Sequence, residues 1–397
     1  MTSLEDALAQ LLALAHPIQT WETVPLADAQ GRVLAEELLA SQDVPPADNS
    51  AMDGYALRLA DWRHTVTLPI SQRVAAGQAP HALAPGTAAR IFTGGEIPPG
   101  ADLVVMQENT QLQAEGVTLL QAPTLGDHIR RRGQDIRAGT PLLTKGLRLS
   151  PLHLGLAASQ GWEQLPVHTP LRVALINTGD ELATPGQPLQ PGQIYNSNGI
   201  CLVGLLQQLG CEVHQYALAD NLANTQTLLS TLAEQHHLLL STGGVSAGEE
   251  DHLKAAVAAL GQVDLWKVAI KPGKPVMFGR VGNTPIVGLP GNPVSAVITF
   301  LWFAKPFIER LQGSNGQRPA PYQLPLHGSR AYSTGGRAEF LRVQRGTAGL
   351  TPFANQSSGV LSSLVWADGL ALVPAQSHIN PGDTMAYWPL ADLVAPH

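Results

Sequence analysis

The chain has 397 residues, of which 44% are hydrophobic and 14% are charged, and its net charge is −7. This length and composition predict a globular protein of about two to four domains, and the acidic balance gives no general attraction to nucleic acid. The longest apolar run, residues 296–304, is too short to span a bilayer, so we expect a cytoplasmic protein with no membrane contact.

The N-terminal segment is predicted to form a helix that begins after Ser3. The Ser3 hydroxyl can cap such a helix, and apolar residues follow it at helical spacing. A second short helix is expected over residues 28–39, and helical spacing returns at 150–159. Residues 1–40 together with 141–169 are therefore predicted to form a discontinuous N-terminal linker domain.

Residues 41–140 have a different texture, because short apolar segments alternate with Gly and Pro. This spacing is typical of β-strands joined by turns and predicts an inserted all-β domain. The predicted strands are residues 66–70, 89–92, 103–107 and 117–120.

Polar turns interrupt this β insert. Asp53 lies in a polar stretch over residues 48–56, Thr93 precedes two glycines, and Asp135 follows Gly-Gln. Each turn on its own is typical of a structural turn. The basic strip at residues 130–132 is interpreted as a solvated surface.

From residue 170 onward, strand-like and helix-like segments alternate. This alternation predicts a doubly wound α/β domain over residues 170–312, with a parallel sheet covered on both faces. The predicted strands are 172–176, 212–218, 238–241 and 285–289, and the predicted helices are 198–209, 225–236, 250–260 and 293–311. Residues 313–397 return to β-like segments (322–325, 339–343 and 371–374) and predict a C-terminal β domain.

Cysteine, histidine and serine patterns argue against several kinds of chemistry. Cys201 and Cys211 fall in apolar segments and are expected to be reduced core residues, without a disulfide scaffold or a zinc site. The histidines show no metal-ligand spacing, and no Gly-x-Ser-x-Gly elbow is present. The chemistry therefore looks like positioning and charge neutralisation at phosphates or an oxyanion.

Unusual sequences follow the predicted strands of the α/β domain, at residues 177–182, 241–248 and 288–295. Ligands of open α/β sheets bind at the carboxyl ends of the strands. The second and third sequences are Gly-rich and each leads into a helix, where backbone N–H groups attract anions. In the third, Asn292 is expected to cap the helix that Pro293 begins. A well-capped structural turn is the alternative, and neither loop matches a Walker or dinucleotide motif.

Three acids, Glu249, Glu250 and Asp251, follow the second loop. Acids in the first turn of a helix are favoured by the helix dipole, which is the simpler explanation. The alternative is a hard cation such as Mg²⁺, which takes one or two carboxylates together with ligand phosphates. Glu181 and Asp180, at a neighbouring strand end, could supply another carboxylate.

Lys267, Lys271 and Lys274 lie within a short and otherwise apolar stretch. Solvated surface lysines are one explanation. A wall that attracts phosphate or an oxyanion is the other, because the lysine ammonium acts as a compact point charge.

Six ordered motifs together closely resemble the molybdopterin molybdenumtransferase family, which includes MoeA and the E domain of gephyrin. The resemblance spans nearly the whole chain. The motifs are NSAMDGYA (49–56), IFTG (91–94), TGDEL (178–182), GGVSxG (243–248), KPGKP (271–275) and GLPGNP (288–293).

The resemblance implies an enzyme of molybdenum cofactor biosynthesis that inserts molybdate into adenylylated molybdopterin. The adenylate is hydrolysed with Mg²⁺ and AMP is released. The resemblance also implies an elongated homodimer of four-domain subunits, with a cleft between the α/β domain of one subunit and the β insert of the other. The molybdopterin adenylyltransferase and acceptor molybdoenzymes are candidate partners.

By motif position, the resemblance also implies the site residues. Those assigned to catalysis are Asp53, Thr93, Asp135, Glu181, Asp220, Asp251, Lys267 and Lys271, with Glu181 and Asp251 on the Mg²⁺ side. Those assigned to substrate binding are Thr178, Gly179, Gly243, Gly244, Ser246, Lys274, Pro290, Asn292, Pro293, Arg337 and Ser358. Arg342 is a further carry-over from the C-terminal segment.

Two other functions remain as alternatives to the transferase. A binding module could hold the pterin and hand it on, or act as a scaffold through the C-terminal β domain, although a pure binder has no need for carboxylates beside its anion loop. An unrelated phosphosugar or nucleotide enzyme is disfavoured by the missing Walker and dinucleotide motifs.

Overall fold

The computed structural model of the protein describes residues 1–218, 221–245 and 252–397. These residues form two compact units. The larger unit comprises residues 1–36, 145–155 and 163–397, and the smaller unit comprises residues 37–144 and 156–162. The four domain boundaries expected from the sequence stay a prediction.

The helices agree with most of the sequence expectations. The first begins after Ser3, whose hydroxyl accepts the N–H of Asp6 at 3.1 Å. The helices are α1 (Leu4–Ala13), α2 (Pro151–Ser159), α3 (Ser197–Gln208), α4 (Leu222–Gln235), α5 (His252–Leu260), α6 (Pro293–Thr299), α7 (Lys305–Leu311), α8 (Ser362–Trp366) and α9 (Leu390–Val394). A π-helical segment, Phe300–Ala304, joins α6 to α7, and 3₁₀ turns lie at Leu26–Asp28, Leu59–Asp61 and Gln107–Asn109.

The second helix expected over residues 28–39 is wrong. Gly31 has a φ of +75°, which a helix cannot accommodate. Leu34 then donates its N–H to the carbonyl of Leu147 at 2.9 Å, and Val33 forms an antiparallel bridge with Arg148. Pairing with chain segments far along the sequence therefore overrides a local preference that was only weakly helical.

The strands of the N-terminal half, residues 1–169, lie in several small sheets. Within the smaller unit, β6, β7, β4 and β8 are neighbours in that order, and β5, β10 and β9 form another sheet. The strands are β1 (Trp21–Pro25), β2 (Leu38–Leu39), β3 (Asn49–Ser50), β4 (Gly54–Leu57), β5 (Thr67–Leu68), β6 (Ile70–Val74), β7 (Ala88–Ile91), β8 (Leu103–Met106), β9 (Thr110–Gln113), β10 (Gly116–Leu119), β11 (Ile129–Arg130), β12 (Pro141–Leu143) and β13 (Gln164–His168). The predicted β character of residues 41–140 is confirmed.

The central sheet has the strand order β17-β14-β18-β22-β21-β19. The first four strands of this order run parallel, as predicted, whereas β21 and β19 extend the sheet antiparallel. The strands from residue 170 onward are β14 (Arg172–Thr178), β15 (Leu182–Ala183), β16 (Ile194–Tyr195), β17 (Glu212–Leu218), β18 (Leu238–Thr242), β19 (Gly261–Trp266), β20 (Ile270–Lys271), β21 (Met277–Val281), β22 (Thr284–Leu289), β23 (Tyr322–Pro325), β24 (Tyr332–Ser333), β25 (Ala338–Gly346), β26 (Gly349–Pro352), β27 (Gly369–Val373), β28 (His378–Ile379) and β29 (Thr384–Pro389).

Apolar side chains cover both faces of the central sheet. Leu175 and Leu240 point to one face, where they share a core with α3 and α6. Ile176 and Leu239 point to the other face, where they share a core with α4 and α5. This alternation along each strand is what a doubly wound sheet requires, and the predicted fold class is confirmed.

The C-terminal sheet has the order β20-β25-β27-β29-β23. Its first strand comes from the α/β region of the chain, where Ile270 pairs with Ala338. Cys201 and Cys211 are free thiols, and Cys211 is buried. Across the described ranges, none of the helices has the length and apolar character needed to cross a membrane.

Candidate active site

A cavity of about 740 Å³ opens at the carboxyl ends of β14, β18 and β22. We call it the edge cavity. It brings together residues that the sequence placed in three separate loops: Thr178, Glu181, Gly243, Gly244, Pro290, Asn292 and Pro293. Because parallel strands bring their carboxyl ends to one edge of a sheet, these loops converge although they are far apart in the chain.

The loop after β18 uses its glycines for close backbone approach. Gly243 and Gly244 have φ angles of +87° and +68°, which favour glycine. A Cβ on Gly243 would overlap the hydroxyl of Thr178, and that hydroxyl donates to the carbonyl of Thr242 at 3.3 Å. The two strand ends are therefore packed backbone to side chain, and a larger residue at Gly243 would displace one of them.

The loop after β22 leads directly into α6. Pro293 occupies the first turn of this helix as predicted, but the side chain of Asn292 makes no capping hydrogen bond, so that part of the expectation is wrong. The carbonyl of Ser358 instead accepts the N–H of Val294 at 3.0 Å. A backbone group from the C-terminal segment thus satisfies a donor that we expected to be free for an anion.

Asn198 holds these loops together, and the sequence analysis did not identify it. Its side-chain amide donates to the hydroxyl of Thr242 at 3.0 Å and to the carbonyl of Gly291 at 2.7 Å. The sequence did contain a signal for this role. The run Tyr195-Asn196-Ser197-Asn198 places two asparagines at the start of α3, and a helix cap needs only one of them. That cap is Asn196, which accepts the N–H of Gly199 at 2.8 Å.

Glu181 brings a carboxylate to the edge cavity. This carboxylate lies against the bare Cα of Gly179, because a Cβ there would overlap it. Oxygen ligands of this kind fit Mg²⁺, which needs only one or two protein carboxylates. Within residues 1–218, 221–245 and 252–397, no three His, Cys, Asp or Glu side chains converge as metal ligands. Asp251, the other expected ligand, lies outside the described residues, as do Asp220, Ser246, Glu249 and Glu250.

Lys271 lies in a different cavity, of about 430 Å³, that we call the lysine cavity. Its ammonium pairs with the carboxylate of Glu339 at 2.9 Å, and its side chain is 51% exposed. Arg330, Tyr332 and Ser357 also line this cavity. The lysine cavity therefore combines cations with hydroxyl and amide groups, which suits a small oxyanion.

The other two lysines flank Lys271 in the chain. Lys267 is half-buried and has a φ of +82°. Lys274 is exposed, and its carbonyl accepts the N–H of Val268 at 3.0 Å. The backbone therefore turns back on itself between Val268 and Lys274. Lys271 lies within this turn and pairs with β25.

The C-terminal arginines Arg337 and Arg342 differ in burial. Arg337 is half-buried just before β25. Arg342 is fully buried and donates to the hydroxyl of Ser363 at 3.1 Å and to the carbonyls of Phe340 and Ser357, both at 3.2 Å. Burial lowers the pKa of Arg342 to about 10. Arg342 supports the loop of residues 353–363 from inside, and its role toward a substrate stays a prediction.

In the smaller unit, Asp53 and Thr93 form one turn. Asp53 accepts the backbone N–H of Thr93 at 2.7 Å and its hydroxyl at 2.9 Å. These hydrogen bonds, chiefly the backbone one, lower the pKa of Asp53, and Arg90 adds a smaller electrostatic effect. The carboxylate is therefore ionised at neutral pH.

Asp135 lines a separate cavity of the smaller unit, with Arg131, Arg132 and Arg137. Arg131 pairs with Asp48 at 2.6 Å and Arg132 with Asp43 at 2.5 Å. Both arginines are more than half exposed, which agrees with the interpretation of this strip as a solvated surface.

Three family models match the chain in order. They describe the MoeA N-terminal region (domains I and II) at residues 2–161, a probable molybdopterin binding domain at residues 174–310, and the MoeA C-terminal region (domain IV) at residues 328–390. The architecture is thus that of a molybdenum cofactor biosynthesis enzyme.

Relatives match over nearly the whole chain. The molybdopterin molybdenumtransferase of Haemophilus influenzae is 37% identical over 99% of this chain and 100% of its own. Molybdopterin molybdenumtransferase 2 of Mycobacterium tuberculosis is 38% identical over 97% of this chain and 98% of its own. The crystal structure of a molybdopterin biosynthesis MoeA protein from Pyrococcus horikoshii superposes with a TM-score of 0.85 at 28% identity, over 98% of this chain and 99% of that one.

The chain belongs to the molybdopterin molybdenumtransferase family. It is a transferase of molybdenum cofactor biosynthesis that binds molybdopterin. The resemblance stated from the six motifs is confirmed.

Proposed function

We propose that this enzyme inserts molybdate into adenylylated molybdopterin, with Mg²⁺-dependent hydrolysis of the adenylate and release of AMP. The observation that carries this proposal is the edge cavity. In it, glycine-rich backbone that suits phosphate lies beside the carboxylate of Glu181, which suits a cation. An anion loop and a carboxylate on one wall suit a substrate that arrives with its metal ion.

The backbone around Gly243 and Gly244 binds the pterin phosphate in this proposal, with Ser246 and with Pro290, Asn292 and Pro293 of the neighbouring loop. Thr178 and Asn198 hold the loops at fixed spacing through their hydrogen bonds. A pre-organised wall of this kind positions the phosphoanhydride without moving during the reaction.

Glu181 and Asp251 are the residues proposed to hold Mg²⁺. When bound, the ion would neutralise charge on the phosphate oxygens and polarise the anhydride. Glu181 would hold the ion at the cavity wall, where its carboxylate is accessible.

Lys271 is proposed to bind molybdate, together with Lys267 and Lys274, its neighbours in the chain, and Arg337 just before β25. The side chain of Lys271 is 51% exposed and can turn from Glu339 toward an incoming oxyanion, while the largely buried Glu339 keeps its electrostatic interaction with Arg342. Ser358 and the loop that contains it would face the same substrate.

We propose a cytoplasmic homodimer in which a second copy of the chain supplies Asp53, Thr93 and Asp135 to the cleft. Asp220 is proposed to act on the α/β side. The molybdopterin adenylyltransferase and acceptor molybdoenzymes are the proposed partners before and after this step.

The experiment is an AMP-release assay on the purified protein with adenylylated molybdopterin. We expect AMP only when Mg²⁺ and molybdate are both present. AMP release at the same rate without molybdate would contradict the insertion step, and pterin binding without AMP release under any condition would support the binding-module alternative.

A matched pair of variants tests the role of Glu181. Glu181→Gln is expected to keep pterin affinity but to lower the AMP release rate by about a hundredfold, as for loss of one electrostatic contact to the transition state. Glu234→Gln, an exposed carboxylate on α4, is the control and is expected to match the parent protein. Equal activity of the two variants would remove Glu181 from the metal site.

A further inference from the structure

A row of stacked side chains crosses the sheet β6-β7-β4-β8 of the smaller unit. Arg73 on β6 pairs with Arg90 on β7, and Arg90 pairs with Tyr55 on β4. The guanidinium of Arg90 lies 5.1 Å from the centre of the Tyr55 ring and 4.7 Å from that of Phe92. Arg73 lies 4.5 Å from the centre of the Phe92 ring. Cation–π contacts therefore fix the plane and position of the Arg90 guanidinium.

Arg90 also donates hydrogen bonds to two residues that adjoin Asp53, one next in the chain and one bound to its carbonyl. Its guanidinium binds the carbonyl of Gly54 at 3.1 Å and the side-chain oxygen of Gln107 at 2.6 Å. Gln107 in turn donates its backbone N–H to the carbonyl of Asp53 at 3.0 Å. One guanidinium thus connects the residue after Asp53 with the residue that binds the Asp53 carbonyl.

The Asp53 segment has no room to move toward β8. A Cβ on Gly54 would overlap the carbonyl of Val105, so the two backbones already touch. On the β7 side, the carboxylate of Asp53 accepts two hydrogen bonds from Thr93. Thr93 follows β7, two residues after Ile91, which pairs with Gly54. Arg90 lies on β7 between these two constraints, and its hydrogen bonds hold Gly54 and Gln107, the residues on which the position of the Asp53 backbone depends.

We propose that Arg90 is a positioning residue for Asp53 in the transferase reaction, acting through its planar clamp on Gly54 and Gln107 and not by touching substrate. This inference rests on the proposed function, which places Asp53 in the cleft. Arg90 also contributes to keeping Asp53 ionised, since its charge lowers the Asp53 pKa.

A lysine cannot reproduce this clamp. It has one compact ammonium in place of a planar fork, and it cannot stack on two rings while donating in two fixed directions. Arg90→Lys therefore keeps the charge but loses the geometry. Misplacement of a positioned group lowers turnover and leaves substrate binding intact.

The test is a steady-state AMP-release assay with Arg90→Lys, Asp53→Asn and the double variant. We expect Arg90→Lys to lower kcat about tenfold, with KM for adenylylated molybdopterin changed by less than about twofold. In the Asp53→Asn background, Arg90→Lys is expected to cause no further loss, because its effect acts through Asp53. Arg63→Lys is the matched control and is expected to retain the parent kcat, because the guanidinium of Arg63 donates to the carbonyls of Ala60 and Trp62, outside the stack on Phe92.

A second variant covers the case in which Arg90→Lys folds poorly. Gln107→Leu removes the exposed acceptor of Arg90 and is expected to lower kcat alone, by about threefold. Parent kcat in both Arg90→Lys and Gln107→Leu, or an equal loss with and without the Asp53 carboxylate, would overturn the inference. Full activity of Asp53→Asn would instead overturn the proposed role of Asp53, so the two failures are distinguishable.

Discussion

Lys271–Glu339 and Lys305–Glu309, two ion pairs of the larger unit, differ in what surrounds them. Lys271 and Glu339 line the lysine cavity, with side-chain exposures of 51% and 11%. Lys305 and Glu309, one turn apart on α7, are only 4% and 5% exposed. The N–O distances, 2.9 and 3.3 Å, are similar. Environment, and not distance, therefore decides whether such a lysine is available to a ligand.

The buried pair belongs to a cluster in which one carboxylate serves several cations. The charges of Arg148, Lys305 and Arg318 all interact with Glu309. Burial lowers the pKa of Lys305 to about 8 and that of Arg318 to about 10, while burial raises the pKa of Glu309. The buried charges therefore hold α7 against its neighbours, whereas the ammonium of Lys271 is free to exchange its partner Glu339 for a ligand.

The largest effect is expected from Glu309→Gln. This change leaves buried cations without the carboxylate they share, and it should destabilise the protein by about 3–5 kcal/mol. Urea unfolding measures the free energy of unfolding. The control is Glu234→Gln on the exposed face of α4, which is expected to stay within about 0.5 kcal/mol of the parent. A loss of less than about 1 kcal/mol would mean that the cluster is no more costly to break than a surface pair.

The next effect concerns activity. Lys271→Met is expected to lower kcat/KM for molybdate by about 10²–10³-fold, as for loss of one oxyanion contact. Stability is expected to fall by about 1–3 kcal/mol, because the Glu339 carboxylate, only 11% exposed, loses its cation. The molybdate dependence of AMP release gives the first number and urea unfolding the second. Unchanged kcat/KM would place Lys271 with the solvated lysines, the alternative left open by the sequence.

The pH dependence of folding stability tests the environment of Lys305. Its folded pKa of about 8 lies below the ordinary 10.5, so the unfolded chain binds more protons between these pH values. Stability of the parent relative to Lys305→Met should therefore rise from pH 8 to pH 10.5. The Cys211 thiol, whose pKa burial raises to about 12, acts in the opposite direction but is common to both proteins. A flat difference across this range would contradict the assigned environment of Lys305.

The smallest effect is expected from Glu339→Gln. The partner of Lys271 becomes neutral but keeps a hydrogen-bond acceptor, so stability should change by less than about 1 kcal/mol. Thermal unfolding of this variant beside Glu309→Gln provides the comparison directly. Equal destabilisation by the two glutamine substitutions would erase the distinction between the pairs.

The sequence predicted most of the fold because periodicity reports burial. The strand–helix alternation from residue 170 identified the four parallel strands of the sheet and the helices of both faces. It missed β19 (Gly261–Trp266) and β21 (Met277–Val281). Both strands are short, and the described residues between them contain no helix, although the strand–helix alternation would require one. The helix predicted over residues 28–39 was wrong because this segment pairs with residues near Leu147, far along the chain.

The site could be predicted only as far as local motifs reach. The glycine loops and Glu181 converge because strand ends meet at one edge, which the pattern implies. The pairing of Lys271 with Glu339 and the bridging of two loops by Asn198 depend on tertiary packing, and no local spacing encodes them. The same holds for Arg342, which as a C-terminal arginine could as well be a ligand as a buried support.

The most direct test of the exchangeable lysine is a crystal soaked with molybdate and measured at the molybdenum absorption edge. The concentration should be one that saturates AMP release. We predict an anomalous peak within hydrogen-bond distance of the Lys271 ammonium, and no change at Lys305. A peak away from the lysine cavity, or no bound molybdenum at that concentration, would contradict the account.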